Sequence, residues 1–301
     1  MISVDLGVCD VEIPVFDLVG KRPGPTMVVT GGMDGDEYTG IEAAYKLVAD
    51  FSSRDFAGRL IVIPIVNIPG FFNESSLNPL DGIFPKMVFP GSANGSPTER
   101  LVFWLYNTYI KEANVWFDLH SGAITEGLNP YLWGFETDYA KVDAVVEQLR
   151  DARVAELYIS ENASWGSKAA RLAKEGCAYI LAESGARGER NEIDIERHVR
   201  WVINTMYILK MIDEPLVPTV LETKIFHHVA YISAPAPEGL WFPAKIDGNE
   251  IKKGMVLGAW AKLDKPQDRH EVIAPKNGVR LWWKETMRMQ RGDMLCVIAH
   301  E

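Results

Sequence analysis

A chain of 301 residues, 47% hydrophobic and 24% charged, can bury one large core and a second smaller one, which excludes disordered, collagenous and coiled-coil classes. Its 31 Lys+Arg against 41 Asp+Glu leave a net charge of -10 with no basic block, so nucleic acid and anionic membranes lack the electrostatic footprint they need. A small-molecule or peptide substrate fits better. Cys9, Cys177 and Cys296 stand too far apart for a disulfide framework or a thiolate zinc site. The first residues lack a basic and apolar leader pattern, and no apolar run approaches the roughly 18 residues of a membrane span, so a cytoplasmic, soluble protein is expected. The oligomeric state is left open, a homo-oligomer included.

In chain order, residues 1–16 alternate as strand material. From Pro25 onward short β-branched runs alternate with longer amphipathic ones: strand at Thr26–Thr30, helix at Glu37–Phe51, strand at Arg59–Asn67, helix at Pro97–Ala113 and strand at Val115–His120. Ser96 can cap the Pro97 helix, Pro97 suits its first position, and Glu99 completes a capping box. Helices follow at Tyr139–Ala155 and Ser167–Lys174, then a buried strand at Cys177–Glu183 and a long amphipathic helix at Ile193–Ile212. This alternation predicts an α/β sheet with helices on its faces. After residue 214 short alternating runs are broken by Pro-Glu-Gly, Asp-Gly-Asn, Lys-Asn-Gly and Arg-Gly-Asp turns. The expected organisation is therefore an α/β domain over 1–214 and a small all-β domain over 215–301.

Three segments could carry chemistry. In Thr30-Gly-Gly-Met-Asp-Gly-Asp-Glu-Tyr-Thr-Gly40, a glycine turn leaves a strand and enters a helix, where ligands bind in open α/β sheets. Asp34 and Glu37 there could reach one cation, although acidic residues also suit a helix N-terminus by charge alone. In Val115-Trp-Phe-Asp-Leu-His-Ser-Gly122, strand alternation puts Asp118 and His120 on one face. Asp118 could orient an imidazole that offers its other nitrogen to a metal, or His120 could be a satisfied core histidine. In Tyr179-Ile-Leu-Ala-Glu-Ser-Gly185, Glu183 ends an apolar strand, as a general base beside activated water would, or as an ordinary strand-end carboxylate.

Taken as an ordered set, Gly31-Gly32-Met33-Asp34-Gly35-Asp36-Glu37, Asn67-Ile68-Pro69, Phe89-Pro90-Gly91, Asp118-Leu119-His120-Ser121-Gly122 and Glu183-Ser184-Gly185 resemble the succinylglutamate desuccinylase/aspartoacylase family of zinc carboxypeptidase-like deacylases. Gly239-Leu-Trp-Phe-Pro, the Asn249–Gly258 run, Ile273-Ala-Pro-Lys-Asn-Gly and Gly292-Asp-Met-Leu resemble the barrel-sandwich appendage of that family, related to biotinyl and lipoyl modules. Pro266 and the distance to Ala274-Pro275 disfavour a carrier role. The resemblance implies a mixed sheet flanked by helices with a C-terminal barrel-sandwich-like domain. It also implies one divalent metal on Asp34, Glu37 and His120, zinc by default, with Asp118 behind the histidine and Glu183 as general base and acid in amide hydrolysis.

Three positions depart from the family pattern. Asp34 stands where the first metal ligand is histidine, which hardens the site toward an ion such as manganese. Aligned without gaps to the related N-acetyl-amino-acid deacetylases, Ser76 stands where an arginine polarises the carbonyl, and Lys86-Met87 where an Asn-Arg pair grips a substrate carboxylate. Lys86 can supply a point charge but no bidentate grip, and Arg187 and Arg190 are the nearest replacements in sequence, with Arg100 a weaker one. The expected function is hydrolysis of an amide in a small N-acylated amine or amino-acid derivative. The competing expectation is a catalytically silent relative that keeps the cleft as a small-molecule binding or regulatory module.

Overall fold

A computed structural model describes residues 1–164, 167–218 and 220–301. The strands of its large sheet are β1 (Phe16–Val19), β2 (Arg22–Thr30), β3 (Ala57–Ile63), β4 (Val115–His120), β5 (Tyr131–Glu136), β6 (Leu157–Asn162), β7 (Ala178–Glu183) and β8 (Lys224–Phe226). They lie in the order β8-β6-β5-β7-β4-β2-β3-β1. The pairs β5–β7 and β3–β1 are antiparallel and the rest parallel, so the sheet is mixed, as expected. The helices are α1 (Tyr38–Phe51), α2 (Ile68–Phe72), α3 (Pro97–Leu105), α4 (Ala140–Asp151), α5 (Lys168–Lys174) and α6 (Glu192–Ile208).

The central strands are nearly continuous apolar runs because both faces are covered. On one face Val29, Phe117 and Ile180 pack with Ala43, Leu47 and Phe51 of α1 and Val199, Val202 and Met206 of α6. On the other, Val28, Trp116 and Tyr179 pack with Leu101 and Leu105 of α3 and Leu172 of α5. That second face ends at the carboxyl edge of the strands on Asp118, His120 and Glu183, and Glu183 is the direct neighbour of His120 in the β7–β4 register. Paired residues in a sheet project to the same side, so register alone brings this carboxylate and imidazole together.

The predicted capping box is present: Ser96 Oγ accepts from Glu99 N at 3.4 Å, and Glu99 Oε2 accepts from Ser96 N at 2.8 Å. Ser96→Ala is expected to cost about 1 kcal/mol of stability by urea denaturation. The expected helix through Ala113 is α3 plus a wider π turn at Tyr106–Ile110. The expected strand to Asn67 stops at Ile63, because Pro64 has no N–H for the ladder, and the chain instead enters α2.

The C-terminal region forms two antiparallel sheets. One joins His228–Ser233, Met294–His300, Gly278–Lys284 and Glu250–Ile251, and the other Lys265–Ile273, Val256–Lys262, Glu238–Pro243 and Arg288–Gln290. Strand pairing crosses, in both directions, the boundary that the turn pattern suggests near residue 214. Lys224–Phe226, assigned by sequence to the small domain, pairs with β6 in the large sheet, whereas Glu126–Leu128 leaves the α/β region to pair with Gly278–Lys284. Leu128 and Tyr131 share a core with Leu281, Val297 and Ala299, so the small sheets rest against the strand edge that carries the site. Among the described residues no helix is long and apolar enough to cross a membrane.

Candidate metal centre

The turn after β2 is held open from below by backbone bonds. Gly31 N donates to Ile63 O at 2.9 Å, Asn67 N to Gly32 O at 2.9 Å, and Gly35 N to Ser75 O at 3.1 Å. Asn67 caps α2 through a bond from Gly70 N at 3.1 Å, which explains the Asn-x-Pro segment as scaffolding for this turn. A Cβ on Gly35 would lie 2.2 Å from backbone atoms of Gly70 and Phe71, so only glycine lets the turn sit this low. The result places Asp34 and Glu37 beneath the surface, 0% and 3% exposed, facing the end of β4.

There the predicted triad converges. Donor atoms of Asp34, Glu37 and His120 all lie within 4.8 Å of one another. His120 Nδ1 is 2.8 Å from Glu37 Oε2 and 3.9 Å from Asp34 Oδ2. Two ligands each about 2.1 Å from one ion are at most about 4.2 Å apart, so these donors are close to shared coordination. Glu37 Oε2 also accepts from Ser121 N at 3.0 Å. On the far side of the ring, Nε2 lies 3.3 Å from Asp118 Oδ2, off the hydrogen-bond direction. Asp118 is itself fixed: Thr30 Oγ1 donates to Oδ1 at 2.6 Å, Tyr179 OH donates to Oδ2 at 3.1 Å, and Trp116 Nε1 donates to Thr30 Oγ1 at 2.7 Å.

Electrostatics follow from this burial. Desolvation would raise the Asp118 carboxyl, but His120, Lys168 and Thr30 hold it down at about 2. For His120, burial works against charge, and Glu37 and Asp118 on its two sides outweigh it, so its proton is held well above the usual range. Glu37 is pushed well up by burial and by Asp34. The Glu183 carboxyl rises to about 7, chiefly through burial, with Glu126 and Asp34 adding to the rise and His120 and Lys86 opposing it.

The side chains suit a cation on two further counts. Asp34 Oδ1 is a buried acceptor without a hydrogen-bond partner among the described residues, a cost of roughly 1–3 kcal/mol that a bound ion relieves. The donor set, two carboxylates and one imidazole, is an ordinary one for a divalent transition metal. Asp118 stands behind His120, the position from which a carboxylate tunes a ligand. Asp118→Asn is expected to weaken zinc binding about 10–100-fold in a competition titration with a fluorescent chelator, and unchanged affinity would deny it that role.

The positively charged candidates separate. Lys86 reaches the triad, where its Nζ forms an ion pair with Asp34 Oδ2. Arg187 instead pairs with Glu285 at 3.3 Å and Glu189 at 3.9 Å, and Arg190 with Glu42 at 2.5 Å, both guanidiniums largely exposed and engaged away from the triad. Arg100 is turned to Gly95 O and Asp5. Ser76 Oγ donates to Asp36 Oδ1 at 2.6 Å. His198 is buried under the Glu183 loop, its Nε2 3.2 Å from Ser184 O.

Sequence reasoning missed several groups. Lys168 Nζ donates to Tyr179 OH at 2.8 Å, lies 4.0 Å from Asp118 Oδ2, and sits over the Trp116 and Tyr179 rings. Burial depresses its ammonium to about 8 against the pull of Asp118. Glu126, half-buried and raised by desolvation, caps its own turn through Ala123 N at 3.1 Å. Alternation along β4 and β7 could have grouped Trp116 and Tyr179 with Asp118, His120 and Glu183. Nothing local marks Lys168 or Glu126.

Residues 23–209, more than half of the chain, match the succinylglutamate desuccinylase/aspartoacylase catalytic domain. The chain belongs to the succinylglutamate desuccinylase/aspartoacylase family. An N-alpha-acetyl-L-2,4-diaminobutyric acid deacetylase from Halomonas elongata is 37% identical over 121 residues, which make up 40% of this chain and 35% of that protein. The match thus spans about a third of the length of this curated relative. Among solved structures, a succinylglutamate desuccinylase/aspartoacylase from Rhodobacter sphaeroides superposes with a TM-score of 0.82 at 23% identity, covering 97% of this chain and 90% of that one. The product-bound ectoine utilization protein EutE (DoeB) from Ruegeria pomeroyi gives 0.83 at 24% identity with the same coverage. At these identities the structures speak for a common succinylglutamate desuccinylase/aspartoacylase fold, including the appended β sheets.

Proposed function

We propose that the protein is a metal-dependent amide hydrolase that removes an acyl group from a small N-acylated amine or amino-acid derivative. The single observation that carries this reading is the convergence of Asp34, Glu37 and His120 donors beside the buried Glu183 carboxylate at the carboxyl edge of the sheet. A divalent ion held by those three side chains, zinc by default and manganese as the harder alternative, would polarise the scissile carbonyl and lower the pKa of water.

The chain's own residues supply the rest. Glu183, with a proton affinity matched to neutral pH, takes a proton from water as its oxygen bonds to the carbonyl carbon. The same carboxyl then delivers that proton to the nitrogen as the C–N bond breaks, leaving a carboxylic acid and an amine, which exchange the remaining proton to become carboxylate and ammonium. Asp118, fixed by Thr30 and Tyr179, holds the imidazole so that Nδ1 faces Glu37 and Asp34. Membership of a deacylase family and the partial match to a diaminobutyrate deacetylase support the reaction class and favour an N-acetylated amino acid or diamine. Two buried free thiols, Cys177 and Cys296, suit a reducing compartment such as the cytoplasm.

The test is a panel of N-acetyl and N-succinyl amino acids and mono-acetylated diamines, with released primary amine measured before and after chelator treatment. Release that stops with chelator and returns with zinc or manganese is expected. No release from any member would favour the silent binding-module reading, and chelator-insensitive release would remove the metal.

A further inference from the structure

Lys86 is held by a short 3-10 turn, Pro85–Met87, whose proline is buried while Met87 is 74% exposed. The lysine side chain is 37% exposed, its stem passes the Phe84 ring, and its ammonium enters the triad to pair with the fully buried Asp34. Its charge is felt by several acids at once: Asp34, Glu37 and Glu126 all act on it, and it acts on Glu183. Asp34 therefore has two claims on it. Its Oδ2 is taken by the ammonium, and its Oδ1 is buried with no partner among the described residues.

A divalent ion coordinated by Asp34, Glu37 and His120 would sit within a few ångströms of that ammonium, where two positive centres repel strongly in a partly desolvated site. The ion gains the whole Asp34 carboxylate only if the ammonium withdraws. The partial exposure of Lys86 and its solvent-side anchor give it an exit that the buried ligands lack.

We propose that Lys86 is a tethered counter-ion of the metal centre, neutralising Asp34 until a divalent ion arrives and being displaced by that ion toward the mouth of the site. This rests on the metal reading of the triad. The lysine thus sets the affinity for the ion.

Chelator-stripped protein titrated calorimetrically with zinc chloride and with manganese chloride tests this directly. Lys86→Met is expected to bind either ion at least tenfold more tightly than wild type, because no competing charge has to be expelled. The stripped variant should also melt at a lower temperature than stripped wild type, and the ion should erase that difference. Equal or weaker binding by Lys86→Met, or no binding by either protein, would overturn the proposal. His120→Ala separates the two layers of the argument: if it binds as wild type does, the triad is not the metal site at all. If it fails to bind while Lys86→Met equals wild type, only the counter-ion role falls. Should Lys86→Met fold poorly, Lys86→Gln replaces it, and reductive ¹³C-methylation offers an independent reading. The Lys86 dimethylammonium resonance should move on adding one equivalent of zinc, and a stationary signal would contradict displacement.

Discussion

Glu183→Gln is expected to lower kcat by about 10²–10⁴-fold while leaving the bound ion and the folded state untouched. The amide is nearly isosteric, so the buried edge beside His120 keeps its packing, but glutamine can neither accept the proton of water nor return it to the leaving nitrogen. In wild type, burial together with Glu126 and Asp34 raises this carboxyl to about 7. A general base works only when ionised, so kcat/KM should fall as the pH drops below about 7, with the limb moved lower when a cation is bound nearby. Glu183→Gln should lose that acid limb along with its rate. Turnover within a few-fold of wild type would remove Glu183 from the chemistry.

Trp116→Ala is expected to cost about 3–5 kcal/mol of stability, read as a lowered urea midpoint with little change in slope. The indole is 0% exposed, packs with Phe89 at 5.9 Å and Tyr179 at 4.9 Å between ring centres, and carries the Lys168 ammonium on its face. The deletion also frees Thr30 Oγ1 from Trp116 Nε1, so Asp118 loses part of its support and metal affinity should fall with stability. Trp116→Phe keeps most of the packing but not the hydrogen bond, and it should retain more stability than affinity. A small loss in the alanine variant would mean that the face under the site is held mainly by α3 and α5.

The parts legible in the sequence were those whose cause is local. Val115–His120 and the Ser96–Glu99 box were legible because a β-branched or aromatic run and a cap signal need no distant partner. The triad was legible only through the ordered motifs that carry the family resemblance, since Asp34, Glu37 and His120 each kept a structural alternative when read alone. The illegible parts depend on tertiary contact. β5 carries Gly134 in its centre, an apparent strand breaker, because a Cβ there would lie 2.0 Å from the Tyr158 hydroxyl of β6. Each of these two strands explains the other, and neither stood out alone.

The same holds for the domain division and the cations. Turn chemistry marked a change of texture at residue 214, but sheet pairing is decided by partners, and Lys224–Phe226 and Glu126–Leu128 each crossed to the other side. Arg187 and Arg190 were near the site in sequence, yet Glu285 and Glu42 hold them at the surface. Lys168, fifty residues from Asp118 in the chain, reaches it because α5 lies on the Trp116–Tyr179 face.

The most direct measurement is the metal content of purified protein, equilibrated with zinc, passed through a desalting column and subjected to elemental analysis beside His120→Ala. Wild type is expected to hold about one divalent ion per chain and the variant less than about a tenth of that, since its site has lost one of its three donors. No ion retained by wild type, or equal retention by both proteins, would contradict that expectation.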